Sequence, residues 1–438
     1  MRRTLASPEW PPQRRRLLGI GAAPCYAEAR WRVGGTWHGS DAQVAVGERS
    51  RVRPDFLPLS RPSIGPQEID EVTACLRSGW LTSGPRVTRF EEAFAETVGA
   101  THAVAMSSAT AGLHLALLAA GIGPGDEVVT TPMTWASTGN MILAVGARPV
   151  FVDVDSGTLN IDPEAVARAI SPRTRALLPV HFAGQPVDLD RFRAIAADHG
   201  LALIEDAAHA LGTTYRGRPI GGGSAAAVFS FHPIKAITTG EGGMVATDDA
   251  ALADRLRLLR FHGIARDTWS RYGRRGNPGY DIVVLGFKYN MTDLQAALGL
   301  AQLARLQEFV EARTRIAAWY REALAQLPAV DMLAPVSYPA RHAWHLLVVR
   351  LQLEALRVGR DQVMDDLLAA NIGVGLHFKA LHLHRLYREQ LALRPDALPH
   401  ATCASERILS LPLFPGMTRE DVKDVAGALE EILRRHAA

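Results

Sequence analysis

In Leu201-Ala202-Leu203-Ile204-Glu205-Asp206-Ala207-Ala208-His209 a strand-like run over Leu201 to Glu205 leads straight into the carboxylate of Asp206. It follows a helical pattern over Leu189 to His199, and further strand-like runs precede it at Ala103 to Met106, Glu127 to Thr130, Pro149 to Val154 and Ala176 to Val180. Helical spacing at Thr110 to Ala120 and Pro163 to Ile170 fills the gaps between them. Repeated βα units of this kind predict an α/β fold with a large, mostly parallel sheet, covered on both faces and carrying its site at the carboxyl ends of the strands. Two more runs, Ala226 to Phe231 and Gly243 to Thr247, stand too close together for a helix between them. A long helical pattern from Thr292 to about Leu327 then leads to a segment with a strand-like His345 to Val349, a helix near Asp361 to Ala370 and another near Arg419 to Arg435. The expected division is a large domain over residues 54–300 and, over 301–438, a linking helix with a small α+β C-terminal domain.

The first 53 residues show neither period, carry Pro11, Pro12, Pro24, Gly34, Gly35 and Gly39, and read as a disordered N-terminal extension. Arg14-Arg15-Arg16-Leu17-Leu18-Gly19 could open an export signal, but the apolar stretch behind it is short and broken by Gly21 and Pro24, so a plain tail is the reading taken. Over all 438 residues, 48 Lys and Arg against 45 Asp and Glu leave a net charge of +3, with the surplus concentrated in that tail, which argues against a nucleic-acid-coating surface. No apolar run is long enough to span a bilayer. Three widely spaced cysteines, Cys25, Cys75 and Cys403, form neither a disulfide framework nor a zinc motif and suit a reducing cytoplasm.

Four motifs carry chemistry. Ser107-Ser108-Ala109-Thr110-Ala111 stands at a strand end and opens a helix, where free N–H groups and hydroxyls suit a phosphate; the same cluster also reads as an ordinary N-cap. Asp206, at the end of its strand, can keep a pyridine nitrogen protonated, or simply cap a helix. Lys235 follows Phe229-Ser230-Phe231-His232-Pro233-Ile234 and precedes Thr239-Gly240-Glu241-Gly242-Gly243. There a desolvated amine could form a Schiff base with a bound aldehyde, although most lysines are solvated surface charges. Trp135 could lie on a cofactor ring or sit in the core.

Taken in order, these motifs resemble the DegT/DnrJ/EryC1/StrS sugar aminotransferase family, of fold type I (aspartate aminotransferase-like), from about Asp55 to the C-terminus. The resemblance implies pyridoxal 5'-phosphate as cofactor and Lys235 as the lysine that carries it. It further implies Asp206 as partner of the ring nitrogen and His209 as neighbour of the ring hydroxyl. Thr110, Ala111 and Ser230 match phosphate positions, Trp135 the stacking aromatic, and Asn290, in Gly286-Phe287-Lys288-Tyr289-Asn290, the residue that reaches the neighbouring subunit's phosphate in a homodimer with shared active sites. Four segments, residues 285–290, 342–346, 375–379 and 411–418, resemble the branch of the family that aminates a UDP-4-keto-pentose with L-glutamate, releasing 2-oxoglutarate. Many other members have a tyrosine and a nearby proline after the histidine that is His377 here. His377 and Lys379 are the candidate substrate contacts, expected to share a side if that stretch is extended. Composition, charge and cysteines make the expectation a cytoplasmic enzyme without membrane insertion, nucleic-acid partner or metal, and the resemblance implies that its product feeds lipid A modification and so polymyxin resistance. A 4-aminotransferase for another nucleotide sugar and a non-catalytic regulator are the competing readings, and Lys235 itself argues against the family's dehydratases, which carry histidine there.

Overall fold

The computed structural model describes residues 52–265, 280–327 and 329–438, so the expectation for the N-terminal extension lies almost wholly outside the described residues. Arg53, its last residue, is held. Its N–H donates to the Ala370 carbonyl (3.3 Å), its carbonyl accepts from Asn371 Nδ2 (2.8 Å), and its guanidinium pairs with Asp421 (2.8 Å) and Asp424.

Two helices, α1 (Pro66–Ser78) and α2 (Pro85–Val98), each begin with proline, whose missing N–H would have had no helical partner there. Strands and helices then alternate through β1 (His102–Met106), α3 (Ala109–Ala119), β2 (Glu127–Thr130), α4 (Ala136–Ala144), β3 (Arg148–Phe151), α5 (Pro163–Ala169), β4 (Thr174–Leu178), α6 (Leu189–His199) and β5 (Ala202–Asp206). A short hairpin of β6 (Thr214–Tyr215) and β7 (Arg218–Pro219) precedes β8 (Ala226–Ser230), β9 (Gly243–Thr247) and α7 (Ala250–Leu259).

Seven of these strands form one sheet in the order β1-β9-β8-β5-β4-β2-β3. Pairs among β3, β2, β4, β5 and β8 are parallel, whereas β9 runs antiparallel to both β8 and β1. Residues 231–242 are too few to carry a crossover helix, so the chain can only turn back, and that turn holds Lys235 over the carboxyl ends of the parallel strands. Strand periodicity separates two cores. Phe229, Ala227 and Ala105 face the cluster containing Phe90, Phe94 and Phe309, while Val228 and Val104 face the cluster of Leu113, Leu115 and Leu117 from α3.

The expected long helix is two, α8 (Asp293–Ala304) and α9 (Leu306–Leu324), interrupted at Arg305, whose guanidinium turns to Glu68 (3.0 Å). Beyond it come β10 (Val330–Met332), β11 (Ala340–Arg341), β12 (Leu347–Leu351), α10 (Arg360–Ala369), α11 (Arg385–Leu391), α12 (Pro399–Arg407), β13 (Ile408–Leu411) and α13 (Arg419–Arg435). An antiparallel sheet β10-β12-β13 packs with α9, α10 and α13 around Tyr320, Leu347, Leu351, Leu367, Leu409 and Leu429. The strand expected from His345 begins only at Leu347. Residues 342–346 form a turn instead, with Trp344 left-handed (φ 52°), its N–H on His342 Nδ1 (2.8 Å) and its ring stacked on that imidazole. Among the described residues no helix is long and apolar enough to cross a membrane.

Candidate active site

Asp206 closes β5 with its carboxylate buried (4% exposed). Thr138 of α4 donates to Oδ2 (2.7 Å) and the Ala208 N–H to Oδ1 (3.2 Å). Burial pushes its carboxyl up, opposed by those two hydrogen bonds and by the charge of Lys235. The backbone beneath is pinned as well, since Asp206 N–H donates to Pro179 and its carbonyl accepts from His181. His181 in turn bonds the buried Glu205 (3.1 Å).

Lys235 is half-buried in the β8–β9 turn, and its N–H donates to the His232 carbonyl (2.8 Å). Loss of water pushes its ammonium down to about 8, with Asp206 pulling the other way. Nζ lies 3.4 Å from Nε2 of His345, in the turn before β12. His209 stands beside both: its ring centroid is 4.3 Å from that of His345 and it stacks on Phe378 at 22°. Next to Phe378, His377 bonds Ser410 through Nδ1 (2.9 Å), and burial together with Lys235 pushes its imidazole down to about 4. Three histidine side chains near one amine, His209, His345 and His377, are thus held away from protonation by burial and by that amine's own charge.

Ser108 caps α3 by accepting from the Ala111 N–H (3.1 Å), so the N-cap alternative is realised, and Thr110 and Ala111 sit in the first turn of that helix. Gly243 allows β9 to press on this helix start. A Cβ there would lie 2.5 Å from the Ala109 nitrogen. Ser230 ends β8, its hydroxyl accepting from the His232 N–H (3.4 Å). Trp135, just before α4, is 66% exposed and 6.1 Å from the Phe378 ring, which removes the core alternative. Asn290 pairs with Met106 at the end of β1, with Nδ2 on Ser83 (2.6 Å) and Oδ1 accepting from Lys288 (2.6 Å). It lines a cavity of about 750 Å³ with Ser83, Arg257, Arg260 and Val283; none of Lys235, Asp206 and His209 lines that cavity. Lys379 is exposed, and the 375–379 stretch lies in no strand, so the expected common side for His377 and Lys379 has no strand to rest on.

The donor set fits pyridoxal phosphate. A buried carboxylate without a cation in contact, a half-buried amine of lowered pKa, and a buried imidazole nitrogen, His209 Nδ1, without a partner among the described residues all await a polar aromatic guest. Sequence reading had not picked out Thr138, His345, Phe378 or Arg313 as site residues. His345 was within a quoted motif, but nothing local marks its ring as the neighbour of a lysine 110 positions earlier.

Comparison with known proteins agrees. The profile of the DegT/DnrJ/EryC1/StrS aminotransferase family matches residues 62–430. DesV from S. venezuelae, solved with a ketimine intermediate, is 35% identical over 87% of this chain and 99% of its own, with a TM-score of 0.79. Spr1654 from Streptococcus pneumoniae, solved in PLP and PMP forms, is 30% identical over 87% of this chain, covering 99% and 100% of its own, with TM-scores of 0.80 and 0.81. Helicobacter pylori PseC, an aminotransferase in pseudoaminic acid biosynthesis, is 28% identical over 87% of this chain and 100% of its own, with a TM-score of 0.81. The fold is that of the fold type I enzymes, the cofactor is pyridoxal phosphate, and the chain belongs to the DegT/DnrJ/EryC1/StrS family as a sugar aminotransferase.

Proposed function

We propose that the amino group of L-glutamate passes to C4 of a UDP-4-keto-pentose, yielding 2-oxoglutarate and UDP-4-amino-4-deoxy-L-arabinose for lipid A modification. The observation that carries this reading is a convergence. Of the four segments that resemble the pentose branch, residues 342–346, 375–379 and 411–418 are tied together beside Lys235. His345 meets the amine, Gly375 and His377 bond Ser410 next to the last segment, and Arg313 joins the carbonyls of Trp344, His345 and Leu413. Likeness to the pentose branch is therefore concentrated where a substrate would meet the reacting amine.

Bound pyridoxal phosphate supplies a ring that takes up the negative charge left when a substrate carbon loses its proton. Asp206 would keep the proton on the ring nitrogen, with Thr138 and the Ala208 N–H holding its two oxygens in place. His209 would adjoin the ring hydroxyl, Thr110, Ala111 and Ser230 the phosphate, and the exposed indole of Trp135 would shield one face from water. Lys235 Nζ would move a proton between glutamate Cα and cofactor C4′, and the reverse with the sugar's C4. His377 and Lys379 would attend the substrate, the exposed ammonium being free to meet a diphosphate.

Turnover of a panel of UDP- and dTDP-linked 4-keto-pentoses and 4-keto-hexoses with L-glutamate tests the assignment. The UDP-pentose should have the highest kcat/KM, by about tenfold or more. Preference for a hexose would instead place the enzyme among those making another 4-amino sugar, as for pseudaminic acid or O-antigens, and absence of amino transfer with every substrate would favour a regulator.

A further inference from the structure

His345 is buried (4% exposed) at a place that secondary structure alone does not secure, since it belongs to the turn before β12. That turn is fixed by other means. Ala343 and Leu346 N–H groups donate to the Gly184 and Ala183 carbonyls (3.4 and 3.2 Å). Gly184 (φ 100°) has no room for a side chain, since a Cβ would lie 3.1 Å from the His345 nitrogen and from the His209 carbonyl. From α9, Arg313 reaches in with its side chain 2% exposed and donates from Nη1 to the carbonyls of Trp344 (3.3 Å), His345 (3.3 Å) and Leu413 (2.9 Å). Among the described residues no carboxylate bonds Arg313, so its positive charge is buried on carbonyl dipoles beside His345.

An ammonium has three donors and no acceptor, so a neighbour that stabilises it must offer a bare nitrogen or oxygen. Nδ1 of His345 has no partner among the described residues, so no second bond fixes its tautomer and Nε2 can be that bare nitrogen. The groups facing the pair are Asp206 from β5, His209 after it, His377 from the segment before α11 and Arg313 from α9. Burial first, and then the charges of Lys235 and Arg313, keep His345 neutral and therefore able to accept.

We infer that His345 is the hydrogen-bond acceptor that holds the Lys235 ammonium after the amine has taken the substrate proton. The inference rests on Lys235 as the lysine that carries the cofactor. Its role differs from that of Asp206, which acts on Lys235 by charge: His345 supplies direction, keeping Nζ at one place between removal and return of the proton.

The test uses the full chain in its pyridoxamine phosphate form, where Lys235 is free, and follows acetylation of that lysine by acetic anhydride against pH, read by peptide mass spectrometry. His345→Phe keeps the ring but loses the acceptor, so the midpoint for Lys235 should fall by about one unit, with kcat reduced and KM for L-glutamate little changed. His345→Gln, whose carbonyl can accept in the same place, should restore the wild-type midpoint. His345→Asn, polar but shorter, should behave as the phenylalanine variant does and serves if that one does not fold. An unchanged or raised midpoint in the phenylalanine or asparagine variant, or failure of glutamine to restore it, would overturn the role of His345. Failure of the underlying reading is seen separately: borohydride reduction of the pyridoxal form should fix the cofactor on Lys235, and fixation on another lysine overturns both.

Discussion

Burial strips more water from the Lys235 ammonium than one buried carboxylate offsets, which pushes its pKa down to about 8. The value lies below the 10.5 of an exposed lysine, so between the two the unfolded chain binds more protons and this residue's contribution to stability rises with pH across that window. The free amine is also the form that accepts a proton. In single-turnover reactions with L-glutamate the rate of proton removal should therefore climb with pH and level off above about 8, and a flat profile would assign the base to another group. Lys235→Ala should abolish amino transfer while leaving the fold and non-covalent cofactor binding intact; near-normal turnover would remove Lys235 from the reaction. Asp206→Asn preserves the shape and the contact with Thr138 but not the charge, so the loss should fall on kcat, by about a hundredfold or more, with KM for L-glutamate nearly unchanged. Lys379, an exposed cation, should matter to only one substrate. Lys379→Ala is expected to slow the sugar half-reaction and spare the glutamate half-reaction, which has no diphosphate; equal effects on both would move the nucleotide elsewhere.

Elements whose apolar pattern is long and local were readable: α3, α6, β5, β8, β9 and α13 lie within a few residues of their expected bounds, because burial on one or both faces dictates their periods. Pairings held by few residues were not. β6, β7 and β11 are two-residue strands, and β11 joins β6 across more than a hundred positions. The strand expected from His345 starts two residues later, because a left-handed Trp344 and the clamp from Arg313 bend the chain at 342–346, neither visible in local sequence. The break at Arg305 was hidden likewise, since buried positions continue on both sides of it. Two outcomes follow from how elements meet. Gly243→Ala would drive a Cβ into the start of α3, costing about 1–3 kcal/mol and loosening the cofactor's phosphate, seen as a lower Tm and weaker cofactor retention. Deletion of residues 1–51 should leave Tm and turnover unchanged, whereas adding Arg53→Ala should lower Tm, since Asp421 and Asp424 at the start of α13 lose their shared partner. Equal Tm values for the two proteins would show that this clasp contributes nothing.

At the scale of the whole molecule one exposed stretch is apolar. Ile282, Val283 and Leu285 are exposed, Leu285 at 81%, in a stretch that leads directly into Phe287, Lys288 and Asn290. An exposed apolar stretch fits a surface that another chain covers, and we propose that this chain is a second copy, with Asn290 crossing to its neighbour's phosphate site as the family resemblance implies. If so, each site takes Lys235 from one chain and Asn290 from the other. Complementation decides it. Lys235→Ala and Asn290→Ala chains, each nearly inactive alone, are mixed under conditions that exchange subunits. In a mixed dimer both lesions fall in one site, and the other site has Lys235 and Asn290 intact. Random mixing makes about half the dimers mixed with one good site of two, so activity should recover to about a quarter of wild type. Were Asn290 to serve the site of its own chain, every site in the mixture would contain a lesion and no activity would return, while Leu285→Glu, which charges the exposed stretch, should give monomers that lose cofactor only if the shared arrangement holds.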